Sequence, residues 1–488
     1  MKTTHSFRNR NTLPRLVPTV LCISLLAACA ALPDEQQQAR IKPAGHYATE
    51  QSFAASAQAN WPTEQWWAAY GDAQLDALIA EALSAAPNMA VAQARLQHAL
   101  AYQQVAGGAT GPQLTGNNNM TQQKQSYNYL TPRAMTPQGW NDYGRATLDL
   151  SWDLDLWGKN RAALAAATSE AEATRADLAL ARLTLSTSIA SSYAELARLH
   201  AALDTAKAAL EVRSHTAELF RLRHTQGLET LGSVRQVESR RAASAADVLQ
   251  IEEQLALQRN RLAALMGAGP DRGLSIARPQ LDPAQAFGLP AQLSAELLGR
   301  RPDIIAARLR AEAAAKKIDQ ARVAFYPNVN LVAFIGVQSL GINMLTKGGS
   351  SIGSVGPAIT LPIFDGGRLR GQLRGSWADY AEAVASYERT VVQALQEVAD
   401  AATSRRALDG QLARTDEAVE AAREAWRIQN NRYQGGLATY LDVLSAEDSL
   451  LASLRTQTDL QSRGLSLDVA LVRALGGGYV ADKRGGQS

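Results

Sequence analysis

The chain has 488 residues, a formal net charge of +3 and two cysteines. Such a small charge argues against a nucleic-acid binder that neutralises phosphates, and two cysteines exclude a disulfide-built scaffold or a multi-cysteine zinc cluster. Alanine supplies 90 residues, whereas phenylalanine supplies 7. Because alanine is the best helix former and buries little area, the composition favours long, closely packed helices over a large aromatic core.

The N-terminus is typical of an exported lipoprotein. Residues 1–28 carry four basic residues and no acidic one, and an apolar run over about 16–28 is too short to span a membrane. The run ends in Leu26-Ala27-Ala28-Cys29, which resembles a bacterial lipobox. We predict a signal peptide over 1–28, acylation of Cys29 (palmitate included), and a lipid-anchored segment over 29–70. An ordinary signal with an incidental cysteine is the alternative.

Residue 30 is Ala rather than Asp, which by the sorting rule for such lipoproteins predicts the outer membrane. Removal of the four positive charges in the signal peptide leaves a net charge of −1. No later window of 18 or more apolar residues predicts a transmembrane helix.

The rest of the chain contains an internal duplication. A pattern including Leu83, Pro87 and Arg95 recurs 215 residues later, and one including Gly227 and Thr230 recurs 209 residues later. Two constant offsets over nearly 200 residues indicate a tandem repeat. The difference between the offsets implies an insertion or deletion in a loop between Pro112 and Gly158. We predict a first repeat over 71–270 and a second over 290–478.

Each repeat predicts the same elements in chain order. A first helix (about 72–110 and 291–325) precedes a stretch with period two (about 112–157 and 327–365). A very long helix follows (about 160–225 and 368–433), then a glycine-containing break and a return helix (about 232–266 and 441–475). Seven-residue spacing in the long helices predicts left-handed coiled-coil packing. That spacing alone is equally compatible with a plain coiled-coil bundle.

The period-two segments argue against the plain bundle. Apolar Leu148, Leu150 and Trp152 alternate with acidic and hydroxylated residues, and the acidic ones are Asp149, Asp153 and Asp155. In a membrane barrel the apolar face contacts lipid and the polar face lines water. We therefore predict that these three aspartates face a lumen. The pattern gives four strands per chain, too few to close a barrel, so the chain must oligomerise. Strand number leaves two, three or more copies open.

Residues 60–480 resemble the TolC-like outer-membrane channel family, in its lipoprotein-type (NodT-like) subgroup of efflux factors. The motifs that carry the resemblance are Trp66-Trp67, Leu361-Pro362-Ile363-Phe364-Asp365-Gly366-Gly367, Glu397-Val398-Ala399-Asp400 and Arg432-Tyr433. The resemblance implies an α+β membrane protein, a homotrimer with a long coiled-coil α-helical barrel and a transmembrane β-barrel in outer-membrane lipid.

The resemblance also implies a function. The chain is expected to be an outer-membrane channel that extends into the periplasm and passively conducts substrates outward. Its implied partners are a periplasmic adaptor (membrane fusion) protein and an inner-membrane efflux pump of the resistance-nodulation-division class. A non-conducting coiled-coil lipoprotein and the outer-membrane duct of a type I secretion system are the alternatives.

The resemblance further implies a gate at the periplasmic end, before the last helix. Asp442 and Tyr433 match gate positions, whereas the second acidic position is Ser445 and a basic position is Ala438. The acidic Asp448, Glu447 and Glu229, or the basic Arg235, are candidates to substitute. The alternative for Asp442 is that it caps the last helix.

The sequence offers no catalytic constellation. None of the six histidines has metal-ligand spacing near a cysteine, and the glycine runs lack the context of a nucleotide-binding loop. We predict no enzymatic activity, no metal, no cofactor and no nucleic-acid partner.

Overall fold

The computed structural model describes residues 39–43, 46–49, 60–281 and 293–480. The predicted signal peptide and Cys29 lie outside the described residues. Contacts divide the chain into two units. The first unit includes His98–Ala171 and Leu309–Ala385, and the second consists of Ile41–Gln97, Glu172–Arg308 and Ser386–Ser488.

The two repeats have the same order of elements. The first repeat contains α1 (Ala73–Ala85), α2 (Pro87–Gly108), β1 (Gln113–Gln123), β2 (Asn141–Asp153), α3 (Lys159–Thr225) and α4 (Leu231–Leu265). The second contains α5 (Leu293–Arg300), α6 (Pro302–Val323), β3 (Asn328–Leu340), β4 (Ser351–Thr360), α7 (Arg368–Gln434) and α8 (Tyr440–Ala474). Helices α3 and α7 both have 67 residues, and α4 and α8 both have 35. The duplication therefore extends to the lengths of these four helices.

The first helix of each repeat is broken by a proline. The predictions of single helices over 72–110 and 291–325 are wrong, because new helices begin at Pro87 and Pro302. Proline lacks an N–H group and disfavours helical geometry in the preceding residue. Ala86 accordingly has an extended backbone, with ψ 131°.

The four strands form one antiparallel sheet in the order β1-β2-β3-β4. The register pairs Leu148 with Ile335, and its neighbour Asp149 with Phe334. Because side chains alternate along a strand, the sheet has one face rich in Leu, Ile and Val and a second face that carries Asp149. This sheet lies in the first unit.

Strand β2 ends at Asp153, so the prediction that Asp155 lies on the strand face is wrong. Asp155 has a positive φ of 45° and its carboxylate accepts hydrogen bonds from the N–H groups of Asn160 and Arg161, both at 2.9 Å. A carboxylate in this position satisfies free donors at the start of α3. The alternating sequence continues past the strand, but this capping interaction ends it.

The larger cores belong to the second unit. One surrounds Trp66, Tyr70 and Tyr193, and another surrounds Leu297, Val391 and Val398. In the first unit a smaller cluster contains Phe325 and Leu373. Among the described residues, no single helix is long and apolar enough to cross a membrane. Helices α1 and α2, which meet at a bend of 44°, are together long and apolar enough for a broken span by length and composition alone.

Candidate functional site

The long helices α3 and α7 end in matching glycine turns. In the first, the N–H groups of Gly227 and Leu228 donate to the carbonyls of His224 and Arg223, both at 2.9 Å. In the second, those of Gly436 and Leu437 donate to Tyr433 at 3.0 Å and Arg432 at 2.8 Å. Both glycines have φ 75°, a left-handed conformation that glycine adopts without strain. These turns bring the two return helices to the same part of the second unit.

Asp442 stabilises the start of α8. The backbone N–H and the hydroxyl of Thr439 donate to Asp442 Oδ2 at 2.8 and 2.7 Å. These two donors hold the pKa of Asp442 below its ordinary value. The helix begins at Tyr440 and Thr439 is its cap residue, so Asp442 is the third helical residue of a capping box. Its carboxylate is nevertheless exposed.

Tyr433 connects the turn of the second repeat to the turn of the first. Its side chain is buried, and its hydroxyl donates to Glu229 Oε1 at 2.6 Å. The Arg223 guanidinium lies 4.9 Å from the centre of its ring. Burial, and then the bond to Glu229, raise the pKa of Tyr433, so it is a neutral donor at physiological pH.

Two further aromatic side chains surround this bond. Phe220 stacks on Tyr433 with ring centres 5.8 Å apart, and Tyr440 lies 4.0 Å from Phe220. We call Phe220, Glu229, Tyr433 and Tyr440 the turn cluster. Valines from both return helices pack in the same buried cluster, namely Val234 and Val237 on α4 and Val443 on α8. Apolar contacts between repeats therefore surround one polar contact.

A second group of charged residues lies farther along the same helices. Asp448 on α8 accepts from Arg213 Nη2 at 3.0 Å and from Arg240 Nη1 at 2.7 Å. Its neighbour Glu447 is only 2% exposed and has Oε1 3.4 Å from Arg213 Nε. We call Arg213, Arg240, Glu447 and Asp448 the arginine cluster.

The structure brings together some of the predicted gate residues. Tyr433 and Glu229 are bonded, whereas Asp442 and Ser445 are exposed on α8 and Ala438 is half-buried beside the turn cluster. Arg235 pairs with Glu238 on its own helix at 2.7 Å. Sequence reasoning missed Phe220, Arg213 and Arg240, whose partners are distant in sequence.

The turns also expose large apolar side chains. Leu228 and Leu231 are 62% and 55% exposed beside the first turn, and Leu437 and Leu441 are 73% and 62% exposed beside the second. Leu228 and Leu437 are equivalent positions of the two repeats, 209 residues apart, so each turn carries an exposed leucine at the same place. Exposed apolar residues in a cluster are typical of an interaction site.

In the first unit, Asp149 takes part in a polar network on the sheet. Its Oδ2 accepts from Asn117 Nδ2 at 2.9 Å and from the Thr147 hydroxyl at 2.7 Å. The Arg145 guanidinium lies on the same face, 5.2 Å from the centre of the Phe334 ring. Asp153, at the end of β2, accepts from the Asp155 N–H at 3.0 Å. The face opposite Leu148 and Ile335 is thus polar and partly charged.

A family model described as outer membrane efflux protein matches residues 78–268 and 293–477. The chain belongs to the outer membrane efflux protein family. The matched segments include both glycine turns and the whole sheet.

Individual relatives agree with the family. The chain is 32% identical to the multidrug resistance outer membrane protein MdtP of Escherichia coli (strain K12), over 94% of this chain and 95% of that protein. It is 39% identical to the fusaric acid resistance protein FusA of Burkholderia cepacia, over 73% of this chain and 68% of that protein. The crystal structure of the outer membrane protein VceC of Vibrio cholerae matches with a TM-score of 0.82 and 50% identity, covering 86% of this chain and 100% of that one.

These findings confirm the predicted family, its combination of long helices with a four-stranded sheet in two repeats, and its location in the outer membrane. They also confirm the predicted function of an outer-membrane efflux channel.

Proposed function

We propose that this channel is a lipid-anchored homotrimer that conducts its cargo passively, in line with a periplasmic adaptor and an inner-membrane pump. The free edges of the sheet support assembly from several copies. Among the described residues, strands β1 and β4 are each paired on one side only. Unpaired strand edges are prohibitive in lipid, and three copies would supply twelve strands for a closed barrel.

The two faces of the sheet support a water-filled lumen. In the proposed barrel Leu148, Ile335 and Val355 contact lipid, while Asp149 and its partners Asn117 and Thr147 line the interior. Asp153 lies at the end of the same polar face. Cys29 is the proposed acylation site, and incorporation of labelled palmitate that is lost in Cys29→Ser would test it.

The bond between Tyr433 and Glu229 carries the gating part of the proposal. It joins the turn of one repeat to the turn of the other, so the two hairpins cannot separate while it persists. Asp442 and Ser445, exposed on α8, are the proposed positions where three copies approach one another. Three aspartates near an axis would repel each other and attract cations.

The apolar surface of the turns supports the proposed adaptor contact. Leu228 and Leu437 occupy equivalent positions in the two repeats, with Leu231 and Leu441 exposed nearby, so three copies would present six apolar sites. The names of MdtP and FusA, which refer to multidrug and fusaric acid resistance, favour small organic toxicants as cargo over secreted polypeptides.

Conductance of the purified full-length trimer in planar bilayers tests the function. We expect a small native conductance that rises in Tyr433→Phe and Glu229→Ala, because each change removes the bond between the turns. Glu218→Ala, which replaces an exposed acid on α3, is the matched control and should behave like the native protein. Absence of conductance in all of these proteins would favour the non-conducting structural lipoprotein.

A further inference from the structure

Glu447 is buried where α8 packs against α3 and α4. Its Oε1 lies 3.4 Å from Arg213 Nε, and its Oε2 has no hydrogen-bond partner among the described residues. An ionised carboxylate in such a place loses its hydration and regains only part of that energy from a charge partner.

The charged and titratable groups that face Glu447 come from all three helices. They are Arg213 on α3, Arg240 on α4, and Tyr440 and Asp448 on α8. Arg213 lies closer to Asp448, at 3.0 Å, than to Glu447, at 3.4 Å, and Arg240 pairs with Asp448 at 2.7 Å. Arg213 is held further by a 2.8 Å bond from Nη1 to the Ser244 hydroxyl. The two guanidinium groups therefore stabilise the charge of Asp448 more than that of Glu447.

The energetic consequence for Glu447 follows from its burial. Burial raises the pKa of Glu447 despite the nearby arginines. A packed arrangement thus binds a proton at Glu447 more tightly than an arrangement in which this side chain is hydrated. By linkage, the packed arrangement gains stability as pH falls through the raised pKa and loses it as pH rises.

We propose that Glu447 and Asp448, although adjacent, act on the gate in opposite directions. Bonds from Arg213 and Arg240 to Asp448 hold α8 against α3 and α4 and favour closure, whereas ionised Glu447 beneath them favours separation. Protonation of Glu447 closes the gate. This inference rests on the proposed gate at the turn cluster and adds proton-dependent regulation at the arginine cluster.

Single-channel recording of the full-length trimer from about pH 5 to about pH 7.5 tests the inference. We expect native open probability to fall on acidification. Glu447→Gln should lower it at neutral pH and flatten the pH dependence, whereas Asp448→Asn should raise it at neutral pH. For Glu447, the closed-to-open ratio should change by about tenfold for each unit by which its pKa is raised.

A second measurement needs no variant. Amide hydrogen exchange of residues 443–451 in the native trimer, corrected for intrinsic rates, should be slower at the acidic end. Faster or unchanged exchange there would contradict the inference.

Several results would overturn it. If Glu447→Gln and Asp448→Asn change the open probability in the same direction, the two carboxylates do not act in opposite directions. A full native pH response in Glu447→Gln would assign the response to another group. If one of these results is obtained with a channel that conducts and that Tyr433→Phe opens, only this inference fails. If nothing conducts, the proposed function fails.

Discussion

Arg301 Nη1 donates to Glu397 Oε2 at 2.7 Å, across 96 positions of sequence. The same guanidinium contacts Asp303 and the carbonyl of Ala474 at 3.1 Å, so it joins the start of α6 to α7 and α8. The side chain of Arg301 is only 7% exposed. This nearly buried residue therefore joins three elements of the second repeat.

Replacement of Arg301 by Met should destabilise the second unit strongly. It leaves Asp303 and Glu397, whose side chains are 21% and 33% exposed, without their cation, so the loss should lie between that of an exposed pair and the about 3–5 kcal/mol of a fully buried one. Chemical unfolding followed by circular dichroism would measure the loss. Arg414→Met, which removes an exposed pair with Glu417, is the control and should cost less than about 1 kcal/mol. Equal losses in the two variants would contradict the structural role of Arg301.

Two glycines with positive φ should differ sharply when replaced by alanine. Gly436 has open space around it, so Gly436→Ala should cost about 1–2 kcal/mol for left-handed geometry alone. At Gly476 a Cβ would lie 2.2 Å from the Arg300 carbonyl oxygen, and the backbone would have to shift. Thermal unfolding should therefore show the larger decrease for Gly476→Ala. A similar decrease for both would mean that the close contact relaxes freely.

Asp442 and Thr439 allow capping to be separated from charge at the proposed gate. Either Asp442→Ala or Thr439→Ala removes the capping box and should cost about 1 kcal/mol of helix stability. Only Asp442→Ala removes the exposed carboxylate. We expect reduced cation selectivity and higher conductance in Asp442→Ala alone, measured as reversal potential and current in bilayers. Matching effects in the two variants would assign Asp442 to capping only.

Adjacent residues of β4 test which face of the sheet contacts lipid. Val355 shares the face of Leu148, whereas Ser354 pairs with Phe334 on the face of Asp149. Val355→Arg should reduce trimer recovered from outer membranes, because arginine in lipid costs about 2–4 kcal/mol at mid-depth. Ser354→Arg should assemble and shift ion selectivity towards anions. The reverse pattern would exchange the two faces.

Asp468 on α8 predicts a pH-dependent stability. It is 4% exposed, lies 4.0 Å from Arg405, and burial raises its pKa to about 6. Its contribution to stability is therefore gained as pH falls through about 6 and is lost at neutral pH. Asp468→Asn should raise stability at neutral pH by on the order of 2 kcal/mol. In thermal unfolding the advantage should disappear near pH 4; an advantage at every pH would point to another cause.

The lengths of the long helices and of the return helices could be predicted well from the sequence. The ends of α3, α4, α7 and α8 fall within one or two residues of expectation, because heptad spacing and glycine turns are local signals. The end of β2 could not be found in this way. Its alternation continues through Leu156, and only the bonds of Asp155 to the start of α3 decide against a longer strand.

The candidate site was predicted in outline. Tyr433 could be recognised from its motif, and Glu229 was one of several candidates to substitute for the gate positions that are Ser445 and Ala438 in this chain. Their bond joins residues 204 positions apart, as the Asp448 bond to Arg213 joins residues 235 apart. A single sequence has no local signal for such pairs, since many arginines and acids on α3, α4 and α8 would pair equally well by charge.

The equal lengths of α3 and α7 restrict how this chain can change. Each residue of a helix adds about 1.5 Å, so deletion of one heptad from α3 alone would displace its turn by about 10 Å. Tyr433 and Glu229 could then no longer meet. Deletion of one residue would instead rotate the turn by about 100°. Viable insertions and deletions should therefore occur in multiples of seven, and in both repeats together, whereas the loop over 124–140 should tolerate changes of any length.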